Sequence, residues 1–137
     1  MILGSVNWLA IIVATLVSMG LGFGWYMGLG KQWMGALGKT REQIMPAGGN
    51  QATPFIIAAL MQLVMAYFLA LLTPKVMGAT SWLSGLEMGF WLWLGFVVTS
   101  MIINHRYQGS RWSLTLIDGG YLLGVLLLQG IVIGLFG

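Results

Sequence analysis

Four long apolar stretches take up most of this 137-residue chain, and their length constrains its fold more than any other feature. They cover residues 7–29, 54–73, 82–104 and 114–136. A bilayer core of about 30 Å is crossed by about 20 helical residues, and each stretch reaches that. Backbone polar groups in hydrocarbon must be satisfied internally, so each stretch predicts an α-helix. The expected fold class is all-α. It is a polytopic membrane protein with four transmembrane helices as two antiparallel hairpins. The short link from Pro74 to Ser81 joins spans two and three, and HRYQGSRWS (105–113) joins spans three and four.

Composition excludes several classes. Hydrophobic residues make up 58% of the chain and charged residues 7%. Soluble domains carry about 25% charged residues, so a water-exposed globule is ruled out. Once four spans are removed little remains, so residues 1–137 form a single transmembrane domain. The pI of 9.6 rests on six Lys or Arg against three acids. Those cations sit at helix ends, so no nucleic-acid footprint exists. With no cysteine there is no disulfide framework and no thiol-ligated metal. The first span lacks a basic leader and an Ala-x-Ala-like cleavage site, and reads as a retained helix.

Orientation follows from the loops. Lys31, Lys39 and Arg41 lie between spans one and two, and Arg106 and Arg111 between spans three and four. The other side carries only Lys75 besides the two termini. The positive-inside rule places both termini outside and the two basic loops, including 30–53, in the cytoplasm. Residues 31–45 put Trp33, Leu37 and Ile44 near one helical face, as in a helix lying on the inner surface. Thr40-x-x-Gln43 has capping-box form and would start a short helix. PAGGNQATP (46–54) reads as a turn, with Pro54 suited to the first turn of span two.

Helices in lipid associate through close backbone approach, since apolar burial gains nothing over lipid tails. Glycine accounts for 21 residues. G-x-x-x-G spacing occurs at Gly20/Gly24, Gly24/Gly28, Gly85/Gly89, Gly120/Gly124 and Gly130/Gly134. About three such pairs arise by chance at this glycine content, so no single pair marks a dimer. Every span except the second nevertheless has Gly on a face. Span two has Ala59, Gln62, Ala66, Ala70 and Thr73 as its small or polar stripe.

Two acids lie inside spans. A charge at mid-bilayer costs about 3 kcal/mol on insertion scales, so each needs a reason. Glu87 sits about a turn and a half into span three, near enough to the outer surface to reach headgroups or Lys75. Asp118 sits about one turn into span four from the opposite end, level with Arg106, Arg111 and Lys31. One reading of Asp118 is a buried ion pair tying span four to a loop. The other is a proton or cation relay, with Gln129 continuing the polar face eleven residues later. Asn104, Arg106 and Arg111 complete the candidate polar set with Glu87, Asp118 and Gln129. His105 stands alone at a helix end, whereas metal sites need three or four partners. Asn7-Trp8 and Trp25-Tyr26, at the two ends of span one, read as the two interfacial aromatic belts. Trp91 and Trp93, away from either belt, read as gap fillers between helices or subunits. No catalytic residue set, metal signature, cofactor fingerprint or phosphate loop is present.

The order of NWLAIIVATLVSMGLGFGWY, GKQWMGALG, LEMGFWLWLGFVVTSMIINHRYQGSRW and LIDGGYLLGVLLLQGIVIGLF resembles domain-of-unknown-function family 1761. These are small bacterial membrane proteins. The resemblance covers nearly the whole chain. Asn7-Trp8, Trp25-Tyr26, Gly95, Asn104 and Asp118-x-Gly-Tyr121 match best, and the link from Met45 to Thr53 fits least well. It implies a four-span, multi-pass protein of the bacterial inner membrane and supplies no activity. The leading functional expectation is a non-enzymatic oligomeric component, a dimer or trimer, binding lipid or a protein partner. Lys31, Lys39 and Arg41 would hold anionic headgroups, each contributing about 1 kcal/mol. The alternative is a small transporter or channel with a site between helices or subunits near Asp118. A membrane enzyme ranks last, for want of convergent reactive groups.

Overall fold

Asn7 starts the first helix by accepting the Ala10 N–H at 3.2 Å. From there α1 runs over Trp8–Leu37. A computed structural model of the chain describes residues 6–44 and 52–137. The other elements are α2 (Arg41–Ile44), α3 (Ala52–Met77), α4 (Trp82–Leu92), a π turn (Trp93–Val97), α5 (Val98–Tyr107) and α6 (Trp112–Leu135). Four helical segments are long and apolar enough to cross a membrane: α1, α3, the rod Trp82–Tyr107, and α6. The chain is all-α, as its hydropathy predicts, with no strand among the described residues.

Some boundaries depart from the sequence reading. Lys31–Leu37 continues α1 instead of starting a surface helix. Nothing there breaks a helix until Gly38, whose φ of 71° lies in the left-handed region that glycine tolerates. The softness between Gly28 and Gly30 shows as a kink at Leu29 (φ −111°, ψ 15°). Beyond it Thr40 and Gln43 form their capping box, at 2.8 and 3.3 Å, and start the four-residue α2. Most of the expected turn at 46–54 lies outside the described residues. Pro54 falls in the first turn of α3, and the helix runs through Pro74 to Met77. One missing N–H near a helix end is tolerated.

The rod Trp82–Tyr107 is interrupted by the π turn around Gly95. A widened turn weakens backbone bonding at its carbonyls. The Thr99 hydroxyl donates to the Gly95 carbonyl at 2.9 Å, and the Ser100 hydroxyl donates to that of Phe96. Such hydroxyls re-satisfy backbone groups that lipid cannot.

Helix α6 is the hub. It packs most extensively against α4 and α1, while α3 lies against α1 and α4. Along the α4–α6 seam Ser81 meets Gly134, Gly85 meets Gly130 and Gly89 meets Leu126, so these helices run in opposite directions. Two of the five G-x-x-x-G pairs therefore face each other within one chain. Gly120 and Gly124 receive Trp25 and Leu21 of α1. Gly20, Gly24 and Gly28 meet nothing within 4 Å.

The bundle is tight at one end and open at the other. Ala10, Ile11, Ala14, Ala66, Leu69, Met88, Leu126 and Ile133 form a core towards the end carrying the termini. Towards the basic loops residues 52–57 of α3 are all exposed, and α5 buries no residue. The polar side chains of the interior lie where the tight half gives way to the open half.

Candidate functional site

Three uncharged polar side chains meet inside the bundle: Ser18 of α1, Gln62 of α3 and Gln129 of α6. All are buried, Ser18 and Gln129 fully. The Gln129 Nε2 donates to the Ser18 Oγ at 3.0 Å and to the Gln62 carbonyl at 2.9 Å. A backbone carbonyl only accepts, so this contact fixes which way the Gln129 amide points. The Ser18 hydroxyl donates to the Gln62 Oε1 at 2.6 Å, and the Gln62 Nε2 donates to the Tyr121 phenol oxygen at 2.5 Å. Three helices are thus tied by one chain of bonds. The buried Gln129 Oε1 has no partner among the described residues.

Tyr121 leads on to the acid. Its ring packs edge-on against Tyr26 with centroids 5.1 Å apart, and Tyr26 meets Trp33 at 5.5 Å. The Tyr26 hydroxyl donates to the Asp118 Oδ1 at 2.5 Å. One residue away, the Trp25 Nε1 donates to the Ile117 carbonyl at 3.1 Å. Adjacent aromatics on α1 therefore grip adjacent residues on α6.

Among the described residues Asp118 is held by a phenol and not by a guanidinium. The Arg106 Nη2 donates to the Ser110 carbonyl (2.9 Å) and the Thr115 Oγ1 (3.0 Å), and its guanidinium lies 3.6 Å from the centre of the Trp112 ring. The Arg111 Nη1 donates to the Gly35 carbonyl at 2.7 Å, tying the last loop to the end of α1. Arg111 is exposed, whereas Arg106 is half-buried and its buried Nη1 has no partner among the described residues. Asp118 sits deeper, where Tyr26 is its polar partner. His105 shares a 2.7 Å bond with the Thr115 Oγ1. Among the described residues no three His, Asp or Glu side chains stand together as a metal set.

The other sequence candidates lie apart from this network. Glu87 is exposed on α4, and Asn104 is exposed on α5 beside Ser100 and Gln108. Lys31 and Lys39 are exposed. Trp93 packs inward, its Nε1 donating to the Gly119 carbonyl at 2.9 Å, whereas Trp91 is 58% exposed. Sequence reasoning missed Ser18 and the role of Tyr26, which looked like an interfacial belt residue. The adjacent Trp25-Tyr26 pair was the available signal.

Beside Tyr26 opens a cleft of about 620 Å³ along α1, from Gly22 to Met34, with Ile44 of α2 at its basic end. Phe23, Met27 and Trp33 give it apolar walls, and Tyr26 supplies the polar group. Ligand sites are commonly apolar clefts of about 300–1,000 Å³ with few polar groups.

The helices and their buried polar chain define a four-span membrane protein. The chain belongs to the DUF1761 family, described as proteins of unknown function, whose model matches residues 9–134. No curated protein and no solved structure matches it.

Proposed function

We propose that this protein is a non-enzymatic membrane component that binds a lipid in the α1 cleft and works as a homo-oligomer. The observation that carries the reading is the cleft itself, apolar along its walls and long enough to lie beside an acyl chain. Lys31 follows directly on the cleft residue Gly30 and is exposed, as is Lys39. With Arg41 they supply cations for an anionic headgroup, at about 1 kcal/mol each. In this reading the basic loops face the cytoplasm of a bacterial plasma membrane and both termini face outward.

The test fills the cleft. A Cβ at Gly30 meets nothing within 4 Å, so Gly30→Leu enters open space without disturbing the bundle. Native mass spectrometry of native protein in phosphatidylglycerol nanodiscs is expected to retain bound lipid. Gly30→Leu is expected to lose about tenfold in lipid affinity, roughly the loss of one or two buried methylenes' worth of contact. Undiminished lipid retention by Gly30→Leu would overturn the reading. For orientation, a reporter fused after Gly137 is expected to be active only outside the cytoplasm.

Transport is the second reading, favoured by the polar chain from Gln129 to Tyr121 and by the acid beyond it. It requires that Asp118→Asn change proton or cation flux in proteoliposomes.

A further inference from the structure

Helices α3 and α4 each leave an apolar face uncovered, and each face carries one charge. On α3 Val64, Phe68 and Lys75 fall within about 40° of one another around the helix. Val64 is 46% and Phe68 49% exposed, and Lys75 is exposed. On α4 Glu87, Phe90 and Trp91 share a face within about 100°. All three are exposed, and beside them lies a recess of about 580 Å³ floored by α4 and α6.

Glu87 lies five residues past Trp82, about 8 Å into the helix. A carboxylate at that depth lies within reach of the headgroup zone, yet left unpaired it is still costly. Lys75 lies two residues before the end of α3, about 3 Å in, and its four-carbon stem spans the difference. Within one chain neither side chain has a polar partner among the described residues. Lys75 is the basic side chain that those residues place at this end of the bundle. The two faces match in apolar character, in charge and in depth, and they lie on different helices.

Resting on the homo-oligomer reading, we infer that the α3 face of one copy seats in the α4–α6 recess of the next, with Lys75 of one against Glu87 of the other. Because the two surfaces differ, the contact is head-to-tail. In a membrane all copies share one orientation, so such contacts run about the bilayer normal and give a ring where their rotation closes. A ring of three is the smallest that uses each face once without a two-fold axis.

The absence of native cysteine makes the test clean. Lys75→Cys and Glu87→Cys proteins are made separately, co-reconstituted and oxidised. The mixed sample is expected to cross-link at least about tenfold more than either protein alone. Lys75→Glu is expected to weaken association about tenfold, and mixing it with Glu87→Lys to recover part of the loss, two of the three contacts in a ring of three, which a pair within one chain could not do. Cross-linking of Lys75→Cys or of Glu87→Cys with itself, at the yield of the mixture, would mean a two-fold contact and overturn the assignment. Oligomers in native mass spectra without the mixed cross-link would overturn this contact while leaving the oligomer standing. Monomers throughout would sink both.

Discussion

Replacing Gly130 with leucine is expected to lower the unfolding free energy by about 3 kcal/mol or more, the upper range for overpacking a close contact. A Cβ at Gly130 would lie 2.0 Å from the Gly85 carbonyl oxygen, and a Cβ at Gly85 would lie 1.9 Å from that of Gly130. Gly134 and Gly89 repeat the pattern, at 2.0 Å from the Ser81 oxygen and 2.5 Å from the Leu126 oxygen. These obstacles are helix backbone, which cannot rotate away as a side chain can. The helices must separate, and the dispersion contacts along the whole seam weaken together. Lipid offers no compensating gain from apolar burial, so seam packing carries much of the association. Gly20→Ala is the control: nothing lies within 4 Å, and the change should stay within about 0.5 kcal/mol. Unfolding in mixed micelles, followed by helical circular dichroism, measures both. Gly85→Ala and Gly130→Ala break the same contact, so the double variant should cost less than the sum of the singles. A Gly130→Leu protein as stable as the Gly20→Ala control would show that the seam does not bind the helices.

The sequence made the helical class and the four spans legible because hydropathy and length are properties of each segment alone. Boundaries were harder. Leu29 looked like the end of span one because a polar run follows it, yet α1 continues to Leu37. Lys31, Gln32 and Trp33 are all compatible with a helix, and the chain first needs a left-handed residue at Gly38. The π turn had no periodic signature. Only Gly95 and Phe96, each followed four residues later by a hydroxyl, hinted at loosened backbone there. The polar site was half legible. Gln62 and Gln129 stood out as amides in apolar surroundings, and Asp118 as a charge. What joined Asp118 to Tyr26 was the meeting of α1 with α6, ninety-two residues apart. An aromatic ring at a membrane surface and one bonded to a half-buried acid read alike in one dimension.

Removing the phenol from Tyr26 should therefore harm the protein more than neutralising the acid it serves. Tyr26→Phe keeps the ring, and with it the edge contacts to Tyr121 and Trp33, and deletes only the donor to Asp118. It leaves a carboxylate in the bilayer without a polar partner among the described residues, at an expected cost of about 2–3 kcal/mol. Asp118→Asn keeps an acceptor for the Tyr26 hydroxyl and discards the charge, so its cost should stay below about 1 kcal/mol. The Tyr26→Phe/Asp118→Leu double variant removes both groups and should recover most of the loss. With the Asp118→Leu single variant closing the cycle, the expected coupling is about 2–3 kcal/mol. The order of the single variants is the sensitive quantity. A lipid-facing or freely hydrated Asp118 would make Tyr26→Phe the milder change, and zero coupling in the cycle would mean the 2.5 Å bond contributes nothing. The same proteins separate structure from transport. An acid retained only to tie α6 to α1 should leave flux through proteoliposomes untouched in Asp118→Asn. An acid that passes protons or cations should lose that flux while the bundle stays folded.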